Sequence, residues 1–402
     1  MLEDNRQKNT IVKYKFLYTI LIVTVYLVGR GLPLYMIDVS AYMHKVVDVE
    51  AILVQTISGD VFQCSIFALG LSPFMISSII TQVISACRSS ESRAKISQAK
   101  MNRMTLKLTL IAAIVQAVVK VQELHFRVDG SMLFLVQFVA TVEMVAGAII
   151  IIWLATRNKK YGIGGQSALI FVNLLDGIRM TLKGHGMKEL AIPLAVSLVV
   201  MLIMMIMENT EKRIPVQRIS IHNIYADKNY LAIKLNPIGV MPAMFSMAFF
   251  MVPQLMITVL TWIFPGNTTV LWWQENMALT KPLGITVYII VLYGLTLGFS
   301  RVFVNPREIT EQFLKSGDSI QDVHAGNDTR RYLSRTITRL GLLSATVMSA
   351  CLGVPLLLQL TGDMASTFAA LPSTTMMLTG IWCNLYSEVR ALKDLEAYQP
   401  FI

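Results

Sequence analysis

The sequence predicts an all-α polytopic membrane protein with ten transmembrane helices, arranged as two inverted five-helix halves. The 402-residue chain is 54% hydrophobic and 15% charged, and its mean hydropathy is +0.57, which excludes a soluble globular domain. Its apolar stretches reach about 20 residues, the helical length that crosses a hydrocarbon core about 30 Å thick. Basic residues gather on alternate sides of these stretches, as in the loops of a multi-pass protein.

Seven of the ten predicted spans are strongly apolar, and three are more polar. The seven clear spans are 17–37, 104–121, 132–155, 190–208, 239–263, 283–303 and 337–360. The other three are 69–86 and 367–387, which are richer in Ser, Thr, Pro and Gly, and 166–181, which is the weakest. Helices that carry small and polar residues usually contact other protein or a watery cavity rather than lipid. We therefore expect the functional part of the protein to lie inside the bundle.

The distribution of Lys and Arg sets the orientation. With the N-terminus in the cytosol, 26 of the 35 basic residues lie in cytosolic segments, 6 in outer segments and 3 in or at the ends of spans. This bias places both termini in the cytosol. The N-terminal region has no short apolar stretch followed by a small-residue cleavage site, so we expect the first span to be an uncleaved signal anchor. The formal net charge of +10 lies in short loops and indicates membrane orientation rather than nucleic-acid binding.

A long cytosolic loop at 209–238 divides the chain into two predicted halves, 1–187 and 188–402, with five spans each. Five-span halves that enter from opposite sides are typical of an inverted repeat, whose working path lies between the halves. The outer segment 38–68 becomes apolar over 61–69 without reaching the length of a span. We interpret this segment as a re-entrant piece buried in protein; an ordinary outer loop remains the alternative.

The cytosolic loops 209–238 and 304–339 are long enough to carry structure of their own. In the first, RISIHNIY and YLAIKL alternate on either side of the turn-prone Ala226-Asp227-Lys228-Asn229, which predicts a β-hairpin. In the second, Asn305-Pro306 ends a span, and EITEQFLKSG predicts a short helix that Gly317 caps. A basic run leads into the ninth span, at Arg330, Arg331, Arg335 and Arg339. Membrane anchoring of a helix end accounts for part of this run, but two structured loops on one face favour a docking surface for a cytosolic partner.

Segment 65–80, which reads SIFALGLSPFMISSII, resembles the second span of the SecY/Sec61 protein-conducting channel family. Further motifs resemble the same family in order along the chain. They are GIGG at 162–165, EKRIPVQ at 211–217, KLNPIGVMPAMF at 234–245, NPREITEQFLKSG at 305–317 and TRRYLSRTITRL at 329–340. Several matches in order, on a matching topology, identify the chain as similar to this family over nearly its whole length.

The resemblance implies a ring of apolar side chains at the narrowest point of a pore for unfolded polypeptide. The implied ring residues are Leu71, Met75, Phe171, Leu175, Met244 and Met377. A shift of one residue in the fifth span would replace Phe171 and Leu175 by Ile170 and Leu174. Apolar constrictions block ions by dewetting, and methionine, the most flexible apolar side chain, suits a ring that must stretch. Because the chain has 24 Met residues, ordinary packing remains the alternative for each of them.

The resemblance also implies a plug and a lateral gate. The plug corresponds to about residues 50–66, and Gly59 would let it turn and move. Its central residues are Ser58, Gly59, Asp60, Val61 and Phe62. The gate lies between the second span and the seventh, at 239–255, and its polar residues are Ser72, Ser77, Ser78, Thr81 and Gln82. Interhelical contacts of such groups are worth about 0.6 kcal/mol each, so they break readily; ordinary helix packing predicts the same residues.

Departures from the housekeeping pattern of the family resemble the accessory SecY of some Gram-positive bacteria. The eighth–ninth loop reads His324-Ala325-Gly326 where the family carries arginine, proline and glycine, and the tenth span begins with Leu371-Pro372-Ser373 where paired glycines are usual. This resemblance implies a SecA-type motor ATPase, a small tail-anchored SecE-like subunit and an unfolded preprotein substrate of the serine-rich glycosylated adhesin type. The residues expected to dock the motor are Arg213, Arg218, His324, Arg330 and Arg331.

Four ionisable residues lie within or at the ends of spans: Glu143, Asp176, Arg179 and Arg301. A charge at mid-bilayer costs about 3 kcal/mol, so each is a candidate for a proton path. Asp176 and Arg179 are three residues apart and can pair on one helix face, whereas Glu143 has no obvious partner in the sequence. We interpret these residues as braces of the bundle or as groups that face an aqueous funnel.

The main alternative function is a secondary transporter for a small solute, which also uses inverted repeats and interrupted helices. Such a protein needs a polar cluster at the midplane, where this sequence places Leu, Met and Phe. No enzyme is expected, because the sequence has no nucleophile elbow, zinc-protease or phosphate-loop motif. Its five His and four Cys residues show no ligand spacing, so neither a metal nor a cofactor is expected. The prediction is a passive pore in the bacterial cytoplasmic membrane, driven by a separate motor.

Overall fold

The computed structural model describes residues 10–38, 49–60, 64–87, 97–128, 130–183, 186–218, 230–361 and 365–398. The helices in these residues are α1 (Thr10–Arg30), α2 (Val49–Ser58), α3 (Ser72–Cys87), α4 (Gln98–Glu123), α5 (Ser131–Tyr161), α6 (Gln166–Leu182), α7 (Met187–Asn209), α8 (Met241–Ile263), α9 (Thr268–Asn276), α10 (Pro282–Phe303), α11 (Pro306–Ser316), α12 (Asn327–Thr361) and α13 (Ser366–Tyr398). The strands are β1 (Glu211–Arg218), β2 (Tyr230–Lys234) and β3 (Asp318–Ile320). In chain order, α1, α3 to α8, α10, α12 and α13 correspond to the ten predicted spans.

Seven helices in the described part of the chain are long and apolar enough to cross a membrane: α1, α4, α5, α7, α8, α10 and α12. They are the seven that the sequence predicts as clear spans. The other three, α3, α6 and α13, are the more polar ones, and they line the interior. Most side chains at 71–79 and at 368–381 are buried. The expectation that the polar helices contact protein rather than lipid is therefore confirmed for α3 and α13.

The first span lies earlier in the chain than the predicted 17–37, because α1 already ends at Arg30. Pro33 explains this end: proline has no N–H for a helix and disfavours helical backbone in the residue before it. The next residues are extended instead, and two isolated β-bridges hold them, Pro33 with Ser65 and Ile37 with Phe126. The apolar side chains that extended the predicted span thus pack into a buried cluster with α4 and α5.

Helix α13 joins the two parts of the bundle. It packs against α1, α2 and α6 from the first part of the chain and against α7 and α12 from the second. In the first part α4 packs against α3 and α5, and in the second α10 packs against α8 and α12. A separate contact between the two parts occurs where α3 meets α8. The candidate site lies between the α6–α13 and α3–α8 contacts.

A glycine-rich turn at 162–165 connects α5 to α6 and fixes where α6 begins. The fully buried amide of Asn158 donates to the carbonyl of Ile163 (2.9 Å). Thr19, on α1, donates to the Asn158 Oδ1 (3.0 Å) and accepts from the Ile163 N–H (2.8 Å). Gly164 has φ +77°, and an added Cβ there would overlap a leucine of α13. Both the backbone conformation and the packing therefore require glycine at this position.

The two long loops, 209–238 and 304–339, join in one antiparallel sheet with the strand order β2-β1-β3. In this sheet Arg213 lies opposite Ala232 of β2, and Val216 lies opposite Ile320 of β3. The second strand of the predicted hairpin is confirmed as β2, which pairs with β1 in EKRIPVQR. This segment also alternates, and its Ile214 is buried in a small core against α12. Of the predicted first strand, RISIHNIY, the structure describes Arg218, the last residue of β1. Residues 219–229, which include the predicted turn, lie outside the described residues.

The predicted short helix after the eighth span is confirmed as α11. Its first N–H groups are capped by the side chain of Asn305, which accepts from the Arg307 N–H (3.2 Å). The helix ends at Gly317, whose φ of +72° is left-handed, the usual conformation of a glycine after a helix end.

Candidate functional site

Four of the six predicted ring residues lie in one continuous buried apolar cluster at the centre of the bundle. Leu71 stands just before α3, Met75 lies on α3, Met244 on α8 and Met377 on α13, and all four are buried. Helices from both parts of the chain thus contribute to the same apolar cluster. Three of the four contributors are methionines, which adapt their shape easily.

Helix α6 contributes to this cluster through the alternative register. Ile170 and Leu174 are buried members of the cluster, whereas Phe171 packs at its margin and Leu175 is 47% exposed. Phe171 instead stacks on a tryptophan of α13, with ring centroids 6.1 Å apart. In this cluster α6 is thus represented by Ile170 and Leu174. The register of a pore ring stays a prediction.

A buried polar network ties the short helix α2 to α1 and α6. Asn173 is fully buried; it accepts a hydrogen bond from the Tyr26 hydroxyl (2.9 Å) and donates one to the Thr56 carbonyl (3.3 Å). Thr56 lies in the last turn of α2, where backbone carbonyls have no partner within the helix. The Asn173 side chain therefore completes the end of α2 and turns one face of α6 toward α1.

An ion pair lies next to this amide. The guanidinium of Arg30, on α1, contacts the carboxylate of Asp176, on α6, and also lies 3.5 Å from the Asn173 Oδ1. Gln55 of α2 donates to the same carboxylate (3.3 Å). The sequence suggests that Asp176 pairs with Arg179. In the described residues Asp176 pairs with Arg30 instead. Asn173 and Asp176 are three residues apart and share one helix face, so the carboxylate faces α1.

The predicted plug residues form the end of α2 and the turn after it. Ser58 is buried and donates to a backbone carbonyl of α2 (3.0 Å). Gly59 has φ +84°, and an added Cβ there would overlap the Tyr26 hydroxyl. Asp60 accepts hydrogen bonds from two backbone N–H groups just before α3, at 2.8 Å each. The described part of this segment is a short buried helix with a tight turn, as expected of a re-entrant piece; Val61 and Phe62 lie outside the described residues.

One predicted gate residue, Ser72, makes a contact across the seam between α3 and α8. Its Oγ lies 3.7 Å from the Sδ of Met251 on α8. A cavity of about 270 Å³ opens beside this contact, lined by side chains of α2, α3, α4, α8 and α9. The short helix α2 and the α3–α8 seam therefore border the same space.

The other predicted gate residues make local contacts in the described structure. Ser77, Ser78 and Thr81 each donate to a backbone carbonyl of α3 (2.8 Å), a bond that serine and threonine form readily within helices. Thr81 also accepts from Thr105 on α4 (3.2 Å). The carbonyl oxygen of Gln82 is buried without a hydrogen-bond partner. Among the predicted residues, Ser72 is thus the one that bridges the seam in the part of the chain that the structure describes.

The residues expected to dock a motor lie on the three-stranded sheet and at the start of α12. Arg213 on β1 is exposed, hydrogen-bonded to Glu211 (2.9 Å) and positioned over the Tyr230 ring of β2, 4.7 Å from its centroid. The hydrogen bond to Glu211 raises the pKa of the Arg213 guanidinium, so this group stays charged. The backbone of Arg218 pairs with that of Asp318 on β3.

The start of α12 carries the rest of this group. The His324 carbonyl accepts two hydrogen bonds from Thr329, from its N–H (3.2 Å) and its hydroxyl (2.8 Å). Arg330 and Arg331 line a polar surface pocket of about 460 Å³. Because α12 and the sheet share one small apolar core, the structure brings both sets of residues onto one compact body.

A second buried polar network fixes the start of α8. Asn236 is fully buried; it donates to the Glu208 carboxylate at the end of α7 (3.1 Å) and accepts from the Ser344 hydroxyl of α12 (2.8 Å). The Lys234 ammonium lies 3.9 Å from the same carboxylate group. The sequence predicts no role for these residues, although Lys234 and Asn236 lie in the motif KLNPIGVMPAMF. The available signal was an asparagine directly before an apolar span.

The remaining ionisable residues of the spans make contacts between elements. The carboxylate of Glu143, on α5, accepts from the Tyr35 N–H after α1 (3.0 Å), and Arg301, on α10, lies 3.4 Å from the Thr338 hydroxyl of α12. These contacts support the interpretation of both residues as braces. In the described residues, no group of three or more His, Cys, Asp or Glu side chains is placed to hold a metal ion.

Fold and site together define the class of protein. It is a multi-pass helical membrane protein in which a buried apolar cluster, a short buried helix and a seam between two helices meet inside the bundle. Comparison with known proteins then identifies the family. A sequence model of SecY matches residues 65–383, and the chain belongs to the SecY family.

Relatives and solved structures agree with this assignment. The "Accessory Sec system protein translocase subunit SecY2" of Streptococcus agalactiae is 30% identical over 401 residues, which cover 98% of this chain and 96% of the relative. The subunit of the same name from Leuconostoc gelidum is 27% identical over 422 residues, covering 99% of both chains. The solved structure "The structure of a protein conducting channel" matches with a TM-score of 0.69 at 18% identity, over 96% of this chain and 93% of that chain. The predicted ten-helix SecY-like fold is therefore confirmed.

Proposed function

We propose that the protein is the central pore subunit of a bacterial accessory Sec preprotein translocase, which conducts unfolded secretory polypeptides across the cytoplasmic membrane. Membership of the SecY family and the names of the full-length relatives support this proposal. The observation that carries the mechanism is the buried apolar cluster between α3, α6, α8 and α13, with α2 hydrogen-bonded beside it. An extended polypeptide would pass through this cluster when the helices separate.

The apolar cluster acts as the seal of the closed pore. Its ring residues in this proposal are Leu71, Met75, Ile170, Leu174, Met244 and Met377. A narrow passage with apolar walls excludes water and therefore ions. When a chain enters, the flexible thioether side chains can fit around side chains of different size, so the seal holds while the polypeptide moves.

In this proposal the plug and the gate open the path in two different directions. Helix α2 is the plug, since it packs against α6, α8 and α13 and is held by two side-chain contacts to α6. Its displacement opens the outer half of the path. Separation of α3 from α8 opens the seam sideways toward lipid, and the contact of Ser72 with Met251 is then lost. The seam belongs to the boundary between the proposed halves, 1–187 and 188–402.

The pore itself carries out no catalysis in this proposal, so energy comes from other subunits. A SecA-type motor ATPase docks on the cytosolic sheet and the start of α12, through residues that include Arg213, Arg330 and Arg331. A small tail-anchored SecE-like subunit holds the two halves together. Both termini lie in the cytosol, and the substrate is an unfolded preprotein of the serine-rich glycosylated adhesin type.

Site-specific cross-linking of a stalled substrate tests the pore. A cysteine at Met75 or Met244, in a background without the native cysteines, should form adducts with a secretory chain arrested in mid-passage. A cysteine at Met256 is the matched control, because this residue lies on the same helix as Met244 but is 62% exposed on the outside of the bundle. Adducts at both ring positions and none at the control are expected. No adducts at either ring position, together with labelling by a small solute, would favour the transporter instead.

A further inference from the structure

The connection between the gate helix α8 and α10 carries a concentration of exposed aromatic side chains. Trp262, Phe264, Trp272 and Trp273 are all exposed, the last two by 50% and 43%. Trp272 and Trp273 lie on α9, a nine-residue helix without a buried residue, and their rings meet edge to face with centroids 5.6 Å apart. An exposed apolar surface of this kind marks an interaction site.

The surroundings of α9 point to lipid as the partner. The aromatic surface continues the exposed apolar side of α8, which Met256 and Ile263 form, and α8 is a helix of membrane-spanning length. Tryptophan is enriched at the membrane–water boundary, because its ring is apolar and its N–H is polar. A water-facing surface in the same place would leave four aromatic rings in contact with solvent.

The charge of this segment indicates which part of the lipid it contacts. Segment 254–281 contains two charged residues, Glu275 on α9 and Lys281 after its end, so its net charge is zero. Attraction to anionic head groups requires clusters of basic residues near the surface, and α9 has no basic residue. Contact with the uncharged boundary region, where acyl chains meet the lipid carbonyl groups, needs none.

Helix α9 is fixed to the gate helix rather than tethered loosely. It packs against both α8 and α10, and its Gln274 lies 3.4 Å from the Thr261 hydroxyl of α8. The Asn267 side chain caps its first turn by accepting from the Thr269 N–H (3.0 Å). A force on α9 therefore acts on the end of α8.

We propose that α9 lies in the outer membrane–water boundary and that Trp272 and Trp273 bind the uncharged boundary region of the outer leaflet. This contact holds the outer end of the gate helix at a fixed depth. The inference depends on the topology of the chain and not on what the pore conducts, so its failure would leave the proposed function standing.

Tryptophan quenching in a bilayer tests this placement. The full-length chain is inserted in phosphatidylcholine nanodiscs, and Trp272 is kept while the other four tryptophans are changed to phenylalanine. Spin labels on the lipid head group should quench Trp272 strongly, labels deep in the acyl chains less, and aqueous iodide least. Strong iodide quenching would overturn the proposal in favour of a water-exposed helix. Protection from all three quenchers would also overturn it, since a protein surface would then cover α9.

Three further measurements make the result decisive. A chain whose single tryptophan is placed at Val142 is the control, because this residue is 52% exposed on α5 and lies near the middle of a predicted span; the deep label should quench it relatively more than Trp272. The double variant W272F/W273F in the otherwise native chain gives the same information by difference, should the single-tryptophan chain fail to fold. Adding anionic phosphatidylglycerol should leave the quenching of Trp272 unchanged, and a strong dependence on anionic lipid would contradict the proposal.

Discussion

Replacement of Asn173 by leucine should release the plug without changing the apolar ring. Leucine is close to asparagine in shape, but it can neither accept from the Tyr26 hydroxyl nor donate to the Thr56 carbonyl. Both partners are buried when α2 is in place. When α2 leaves, water can reach both groups, so the variant destabilises the plugged state selectively.

The size of the effect follows from these two contacts. A hydrogen bond contributes about 0.5–1.5 kcal/mol net in soluble proteins and about 0.6 kcal/mol on average between membrane helices. Losing two of them shifts the balance between the plugged and unplugged states by about 1–2 kcal/mol. Since 1.4 kcal/mol corresponds to about a tenfold change in an equilibrium, the unplugged population should rise by about 5- to 30-fold.

Ion conductance measures this population directly. The purified protein is studied in planar bilayers, without motor or substrate, and the Asn173→Leu variant should leak ions well above the wild-type level. Thr56→Val is the matched control, because its hydroxyl donates to the Leu53 carbonyl within α2 (2.6 Å) and the carbonyl that Asn173 binds is retained. A folded Asn173→Leu channel as tight as the wild type, or an equally leaky Thr56→Val channel, would refute the reasoning.

Three further predictions address other parts of the molecule. Gly164→Ala should lower the melting temperature, because a left-handed backbone costs a non-glycine residue about 1–2 kcal/mol. The control Gly298→Ala, whose added methyl group meets open space, should leave the melting temperature unchanged. Equal melting temperatures of the two variants in a fluorimetric scan would contradict this prediction. Asn236→Leu should destabilise the protein by about 1–3 kcal/mol, because it removes the donor of a buried carboxylate; an unchanged urea midpoint would count against the network. Cysteines at Ser72 and Met251, joined by a short dithiol reagent, should block transport until the link is cleaved, and continued transport through a cross-linked protein would rule out this seam as a gate.

The long-range features of the fold are readable from the sequence because the bilayer sets them. A span needs a fixed length of apolar residues, so hydropathy located the seven clear helices, and small or polar residues marked α3 and α13 as interior. The sequence also contains a signal for the end of α1, since Pro33 lies inside the predicted span. Hydropathy alone does not show this end, because apolar residues continue to Ile37.

The contacts inside the bundle were not readable in the same way. A polar residue in an apolar span indicates that a partner exists, but not which one: Asp176 binds Arg30, 146 positions away, instead of the arginine three positions away. The register of α6 is a similar case. Adjacent residues of a helix differ by about 100° in direction, and Ile170 and Phe171 are both apolar, so hydropathy does not decide which of them faces the apolar cluster.

The three-stranded sheet has a mechanical consequence for α8. Its strand β3 belongs to the loop between α10 and α12, whereas β1 and β2 belong to the loop before α8, yet all three are hydrogen-bonded together. Only residues 235–240 separate β2 from α8, and the buried side chain of Asn236 immobilises that connection. A load applied to either loop is therefore shared by both and is delivered to α8 over a few residues. A partner that binds the sheet can therefore tilt one wall of the seam from outside the membrane-spanning helices.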